Sequence, residues 1–375
     1  MPAADRRPFL RRLADRLHAA RAEGPPSPTP LVGYVVHGRD GLHAPSAHVR
    51  VVQRIELLAR SGRADVAQVE PHAYGAGEDP ARYDVVLVQR DAVPAADLEP
   101  FLARIRASGT RLVAEVDDDF FTEEARARLG RAEYDPDRLA SVHAVVRAAS
   151  STIVSTPPLA DAVRAVGGRP VVVENQVDPR LWTGPVDADP LPDDTTTDAG
   201  GPHRVLYAGS RTHGADLALL RPVFDDLVAR DGRPVRPEVV GITEDAEDWY
   251  DTLPVPETAG HYPSFVRWLR AHAGRWDAAV APLVDEPFNH AKSDLKFVEY
   301  TLLGLPVVLS AVGPYHRHLE RAAVVPNDDL AGWRRAVLAA VQEARPAPAA
   351  ARYVRDTRLI GSDTTWERAL GLQTD

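Results

Sequence analysis

From Leu31 onward, short apolar runs alternate with stretches whose apolar residues recur at helical spacing. LVGYVV (Leu31 to Val36), Val66 to Glu70, Asp84 to Gln89, Arg111 to Val116, Thr152 to Ser155 and Pro170 to Glu174 read as strands. Ala47 to Ser61, Asp97 to Ser108, Pro136 to Ala149 and the residues after Pro158 read as helices between them. Strands that are apolar throughout, with helices in between, indicate a parallel sheet covered on both faces. The pattern lapses over DADPLPDDTTTDAGGPH (Asp187 to His203), which has no hydrophobic period and marks a linker. It then restarts with strand Arg204 to Ala208, helix Ala215 to Arg230, strand Pro237 to Ile242, helix Pro263 to Ala273 and strand Ala278 to Ala281. A helix from Ser293, strands Pro306 to Ser310 and Ala322 to Val325, and helix Asp328 to Ala344 complete it.

The expected fold class is therefore α/β, with two doubly wound, Rossmann-like domains at 31–186 and 204–344, joined by 187–203 and facing a cleft at the carboxyl ends of both sheets. Residues 345–375 read as a helical tail packing back toward the N-terminal domain. Residues 1–24 read as a basic amphipathic helix, with Phe9, Leu10, Leu13 and Leu17 on one stripe and arginines around it. Such a helix either docks on the protein or lies on an anionic membrane surface. A stiff segment, Gly24 to Pro30, follows it.

Composition narrows the chemistry. The 375 residues are 44% apolar and 26% charged, ordinary material for two globular domains. The absence of cysteine excludes disulfides, thiolate metal sites and a thiol nucleophile, and suits a reducing cytoplasm. No run approaches the roughly 20 apolar residues of a membrane span, and the arginine-rich N-terminus lacks a signal core. A net charge of −10 argues against nucleic acid as the main partner. Heavy use of Ala, Arg and Pro looks like a GC-rich genome, so a single Arg or Pro carries little weight.

Against that background, one detail stands apart. Of the 44 lysines and arginines only Lys292 and Lys296 are lysine, and they lie one helical turn apart. Lysine is a compact, rotatable point charge where arginine is a planar fork. In FNHAKSDLKFVEYTLLGLPVVLS (Phe288 to Ser310) the expected helix starts at Ser293, stops at Gly304 and leads to a buried strand. Both cations then sit at the positive end of the helix, where an anion is favoured. Ser293 offers a cap, but Lys296 stands where a capping box would have Glu. YAGSRTHGADLALL (Tyr207 to Leu220) supplies a second strand, turn and helix start. Gly209 allows close backbone approach, Ser210 lies in the turn and Arg211 offers a fork for a phosphate. Glu299 shares a helix face with Lys296; it either accepts both hydroxyls of a ribose or forms an intrahelical ion pair.

Together, AVAPLVDEPFNHAKSDLKFVEYTLLGLPVVLS and VLYAGSRTHGADL closely resemble the donor-binding segments of GT-B glycosyltransferases of the family 4-like, nucleoside-diphosphate-sugar-dependent bacterial type. IVSTPPLADAV and VVVENQVDPRLW resemble that family's segments before the interdomain hinge, here the linker with the turn Asn175 to Asp178, and LVAEVDDDFF resembles the acidic strand end of one bacterial subgroup. The resemblance implies a nucleotide-sugar donor on the C-terminal domain, an acceptor on the N-terminal domain, and retention of anomeric configuration. It implies that Glu299 holds the ribose and that Arg211 and Lys296 face the diphosphate. The family's second, upstream glutamate has no match at the usual spacing, which leaves Asp285, Glu286 or Asn289 for the sugar. His213-Gly214 stands where Lys-Gly is usual, so Lys292 becomes the candidate to supply the missing charge. The catalytic set is then Arg211, Lys292, Lys296 and Glu299. The donor set adds Gly209, Ser210, Tyr262, Glu286, Asn289 and Ser293, with Tyr262 either stacking on the base or packing in the core.

On the acceptor side stand His37 and Arg50, from the loop and helix after the first strand, and the run Asp117, Asp118, Asp119. Three adjacent carboxylates repel one another and call for a partner: an acceptor's hydroxyls or amines, arginines or interdomain pairing, or a divalent metal; a solvated turn with Asp as helix cap is the alternative. With cations and a helix start already at the diphosphate, the reading takes no metal and no cofactor. His37, His43 and His48 lack the spacing of a metal site.

The function expected is a retaining, cytoplasmic glycosyltransferase acting on a sugar or small-molecule acceptor, in polysaccharide or secondary-metabolite biosynthesis, with peripheral membrane contact open. A nucleotide-sugar epimerase or hydrolase on the same fold, and a non-catalytic donor-binding partner subunit, stand as alternatives.

Overall fold

The computed structural model describes residues 29–39, 42–185, 200–209, 214–241, 247–343 and 345–372. The helix expected at 1–24, most of the linker 187–203, and Ser210 and Arg211 lie outside them. The described residues form two compact units, one from those up to Asn175 with those from Asp363 onward, and one from those of Gln176–Ser362.

The first unit is built on six parallel strands: β1 Leu31–Val35, β2 Asp65–Gln68, β3 Val85–Gln89, β4 Arg111–Val116, β5 Ser151–Val154 and β6 Pro170–Val172. Their order is β2-β1-β3-β4-β5-β6, with Val32 opposite Val66 on one side and Val85 on the other. All five residues of β3 are buried, as expected of a central strand covered on both faces. Val32, Leu87, Val113 and Ile153 form the core together with Trp366, Ala369 and Leu370 from the last helix, Thr365–Leu370.

Of the elements that depart from expectation, two bear on the site. The helix expected over Ala47 to Ser61 is a short turn Pro45–Ala47, a π-helical turn His48–Val52 and a helix Gln53–Ser61. The wide turn carries the buried Arg50, whose guanidinium donates to Glu115 on β4 at 2.6 Å. A helix over Glu123–Arg131 was not expected from the pattern, because Ala125 is its one buried residue. Its local signals are good: the Thr122 hydroxyl accepts from the Ala125 amide at 3.2 Å, and Glu123 and Glu124 open the first turn.

The second unit repeats the architecture with β7 His203–Ala208, β8 Val235–Val240, β9 Asp251–Thr252, β10 Ala278–Ala281, β11 Val307–Ser310 and β12 Ala323–Val325. The order is β9-β8-β7-β10-β11-β12, again parallel. Tyr207, Val239, Val280, Val308, Trp333 and Val337 lie in its core. The helix expected over Ala215 to Arg230 is two short helices, Gly214–Ala218 and Arg221–Phe224. Pro222 lacks the amide hydrogen that would continue the first, and Asp226 turns the chain with φ +49°. Residues 176–185, read from sequence with the first domain, lie in this unit. The Val177 amide donates to Arg358 O at 2.9 Å, and the Arg270 guanidinium donates to the carbonyls of Leu181 and Gly184 at 2.5 and 2.6 Å. Such backbone anchors leave no trace in hydrophobic periodicity. No helix among the described residues is long and apolar enough to cross a membrane.

Candidate functional site

In each sheet the strand order reverses once, between β1 and β3 and between β7 and β10. Ligands of open α/β sheets bind beyond the carboxyl ends of the strands at such a point. Lys296 lies at the second of these points and His37 at the first.

In the second unit β7 ends at Ala208, and the helix Leu295–Leu302, which carries Lys296, is fastened to that end. The Ala208 amide donates to the Tyr300 hydroxyl at 2.8 Å, and its carbonyl accepts from Lys296 Nζ at 2.8 Å and from Tyr300 at 3.2 Å. Lys296 Nζ also lies 4.8 Å from the centroid of the Tyr207 ring. Burial, and next the like charge of Lys292, lower the Lys296 pKa to about 8. No carboxylate among the described residues lies within ion-pair distance of Lys296 Nζ. Two cations close enough to repel, at a helix start, are an arrangement that an anion stabilises. Lys292 is half-buried, with Nζ 5.5 Å from the Phe288 ring centroid.

Glu299 is half-buried on the same helix, and its Oε1 accepts from the Tyr262 hydroxyl at 2.7 Å. Burial pushes its pKa up to about 7, against the pull of Tyr262 and Lys296. The ion pair with Lys296 weighed in the sequence is not formed. Tyr262 is 5% exposed, so its ring is packed in the core rather than offered to a base; its role at the site is the hydroxyl on Glu299. Ser293 is not the cap either. Asp294 occupies that position, and the helix begins one residue later than it. The chain leaves the helix at Gly304, whose φ of +82° an L side chain adopts only at a cost.

The loop after β10 brings Glu286 and Asn289 to this end of the sheet. Glu286 is half-buried, ahead of the short helix Pro287–His290. Asn289 is buried; its Nδ2 donates to Val284 O at 2.9 Å, while Oδ1 has no hydrogen-bond partner. Two supports of this loop escaped sequence reasoning. The buried carboxylate of Asp216, in the first turn after β7, accepts from the Val284 amide at 2.8 Å. Ser310 at the end of β11 accepts from the Leu283 amide at 2.8 Å and donates to Asn327 at 2.7 Å. Gly209 follows β7, its amide on Val240 O at 3.0 Å. Its carbonyl would lie 2.7 Å from a Cβ at Gly241, so position 241 tolerates no side chain without movement.

In the first unit His37 follows β1, and Arg90 and Asp91 follow β3. His37 Nε2 lies 3.0 Å from Asp91 Oδ1, and Oδ2 accepts from the Tyr134 hydroxyl at 2.7 Å and from the Arg138 guanidinium. Burial raises the Asp91 pKa, but the hydrogen bonds from His37 and Tyr134 outweigh it and hold the group ionised well below the usual carboxylate range. Arg90, with φ +50°, places its guanidinium 3.5 Å from Asp117 and 3.4 Å from Asp118 and 4.9 Å from the Phe120 ring centroid. A non-glycine residue in this conformation is strained by about 1–3 kcal/mol and often marks a functional position. Burial raises Asp117 to about 7, with Arg90 opposing and Asp118 adding to it.

Two acceptor-side expectations change. Asp119 is buried and accepts from the amides of Phe121 and Thr122 at 2.8 and 3.1 Å and from the Thr122 hydroxyl at 2.5 Å, so it shapes the turn. Arg50 is buried as well: besides Glu115 it donates to Val173 O at 2.8 Å and Asn175 Oδ1 at 2.6 Å, so it braces strand ends. His37 and Asp118 retain surface, at 46% and 33% side-chain exposure. Arg90, Asp91, Tyr134 and Arg138 were missed. Their pairings join residues far apart in sequence, and in a chain this rich in arginine none of them stands out by type. Among the described residues no group of three His, Asp or Glu side chains is placed to hold a metal ion.

No family model matches the chain, and no curated protein matches its sequence. Solved structures do match its fold. The sucrose-phosphate synthase of Thermosynechococcus elongatus superposes with a TM-score of 0.61 at 16% identity, over 91% of this chain and 96% of that one. HepE of Anabaena, solved with UDP-glucose, gives 0.58 at 14% identity over 92% and 100%. The UDP-forming trehalose-phosphate synthase of Burkholderia xenovorans, solved with glucose-6-phosphate, gives 0.53 at 14% over 87% and 82%. Two six-stranded parallel sheets in these orders, over nearly the full length of such structures, are the GT-B fold of glycosyltransferases.

Proposed function

We propose that this GT-B chain is a retaining glycosyltransferase that moves a sugar from a nucleoside diphosphate to a hydroxyl or amine of a sugar or small-molecule acceptor. The observation that carries the reading is the Lys296 ammonium fastened at the end of β7, at the reversal of strand order, with Lys292 close enough to lower its pKa. HepE, with the same fold, is solved with UDP-glucose, a donor of the class proposed here.

In this reading the diphosphate lies against Lys292, Lys296 and the helix start, and Arg211 joins them. As the bond from the anomeric carbon to the diphosphate oxygen breaks, the electron pair leaves with the diphosphate. Cations fixed beforehand at that place stabilise the developing charge, usually the largest catalytic contribution. The departing phosphate oxygen takes the proton of the acceptor group as that group bonds to the anomeric carbon from the same face. Glu299, ionised once Tyr262 and a ribose both donate to it, holds the ribose hydroxyls. Glu286 and Asn289 are the candidates for the transferred sugar, with Asn289 Oδ1 still able to accept a hydrogen bond. His37, Asp117 and Asp118 are the candidates for the acceptor. The chemistry calls for no metal, and the acceptor belongs to polysaccharide or secondary-metabolite biosynthesis in the cytoplasm.

A thermal-shift screen of nucleoside diphosphates and nucleotide sugars, with and without EDTA, tests the donor site, since binding to the folded state raises apparent stability. A selective shift that survives EDTA and shrinks in Glu299→Ala is expected. No shift with any nucleotide overturns the reading, and a shift abolished by EDTA reassigns the diphosphate to a metal.

A further inference from the structure

Asp294 stands at the N-cap position of the lysine helix, yet its side chain caps no amide. Aspartate is favoured at that position because its carboxylate ordinarily accepts from amides of the first turn. Here both oxygens are held elsewhere. Oδ1 accepts from Arg358 Nη2 at 2.5 Å; Oδ2 accepts from Arg358 Nη1 at 2.7 Å and from His318 Nε2 at 2.8 Å. Arg358 and His318 side chains are both 0% exposed. The Tyr353 hydroxyl accepts from Arg358 Nη1 at 3.2 Å, and the His318 ring stacks on Phe297 of the lysine helix with centroids 3.9 Å apart. The partners come from 24 and 64 residues further along the chain, so the grip is tertiary and not a by-product of local turn geometry.

The grip has an electrostatic consequence. A carboxylate lying across the first turn would occupy its amides and offset the positive end of the helix two residues before Lys296. It would compete with any phosphate for the same donors. The bidentate arginine fork fixes the carboxylate in one orientation, which a lysine could not do.

We propose that Arg358 and His318 are positioning residues for donor binding: they hold the Asp294 carboxylate off the start of the lysine helix and leave that end open to the diphosphate of the nucleotide sugar. The inference rests on the donor reading above and adds its gatekeeping to it. Arg358 lies just after the helix Pro348–Thr357, so a C-terminal element outside the donor loops tunes the donor site.

The test is calorimetric titration of the full chain with the nucleoside diphosphate that gives the largest shift, and with its parent nucleoside as the uncharged control. In Arg358→Gln the released carboxylate should weaken diphosphate binding about tenfold, the scale of a lost cap and dipole contact, while nucleoside binding stays close to wild type. Adding Asp294→Ala to that variant removes both the competing anion and the competing acceptor, since alanine cannot cap the turn, and should restore most of the affinity. A double variant as weak as the single one overturns the proposal, because Arg358 then acts only by supporting the fold. So does an Arg358→Gln protein that binds the diphosphate like wild type. Where Arg358→Gln does not fold, His318→Asn with and without Asp294→Ala makes the same comparison through the second partner. A wild type that binds no nucleoside diphosphate overturns the donor reading itself, a failure distinct from the other two.

Discussion

Lys296 sits in a balance that a ligand would reverse. Burial and Lys292 lower its pKa from 10.5 to about 8, so the unliganded protein begins to lose this charge just above neutral pH. A diphosphate beside it restores the charge. Binding of a nucleoside diphosphate at pH 8.5 should therefore take up protons, read as an apparent enthalpy that varies with the ionisation enthalpy of the buffer. An enthalpy independent of the buffer would remove Lys296 from the phosphate site. The sign for stability is the opposite of a salt-bridged lysine: between about 8 and 10.5 the unfolded chain binds the proton that the folded one releases, so this group makes stability rise with pH. Glu299 runs the other way. Its folded pKa of about 7 lies above the ordinary 4.5, so its contribution is complete below 4.5 and is lost as pH rises through about 7. Glu299→Gln should accordingly gain stability relative to wild type on going from pH 5 to pH 8 in paired denaturant melts. The sequence singles out both residues, one by rarity and one by spacing. Asp294 was not, because a cap-position aspartate looks the same whether it caps or is pulled away by an arginine 64 residues on.

At the scale of elements, the sequence located what burial controls and missed what backbone chemistry controls. Ala278–Ala281 has the bounds read from its pattern, because a strand buried on both faces is apolar from end to end. The helix after β7 was drawn as one piece, since periodicity ran on across Pro222 while the hydrogen-bond ladder could not. The lysine helix stops where its glycine predicts. Gly304 has φ +82°, and placing Cβ there costs about 1–2 kcal/mol. Gly304→Ala should lower the melting temperature by a few degrees, at about 2–4 °C per kcal/mol for a unit of this size. The same substitution should weaken nucleotide binding less than Lys296→Ala does, because the strain falls at the far end of the helix. A calorimetric melt and one titration separate the two effects.

At the scale of the whole molecule, the last helix belongs to the first unit although it follows the second in sequence. Asp363–Asp375 groups with Met1–Asn175, and Trp366 and Leu370 lie in the core with Val32, Leu87 and Ile153. The Ser151 hydroxyl donates to Ala369 O at 2.7 Å, and Arg63 pairs with Glu367 at 3.1 Å. The sequence reading packs the whole of 345–375 back toward the first domain, whereas the helix Pro348–Thr357 groups with the second unit and the stretch from Asp363 with the first. Removing Trp366 tests the assignment through the location of the damage. Trp366→Ala should cost about 3–5 kcal/mol, the range for deleting a large buried aromatic, and the loss should fall on the first unit. Hydrogen exchange should show protection falling in β1, β3 and β5, while β7 and β10 keep theirs and still respond to a nucleoside diphosphate. Equal loss across both sheets would mean that the two units unfold as one cooperative block. Loss confined to β7 to β12 would place the helix on the other sheet.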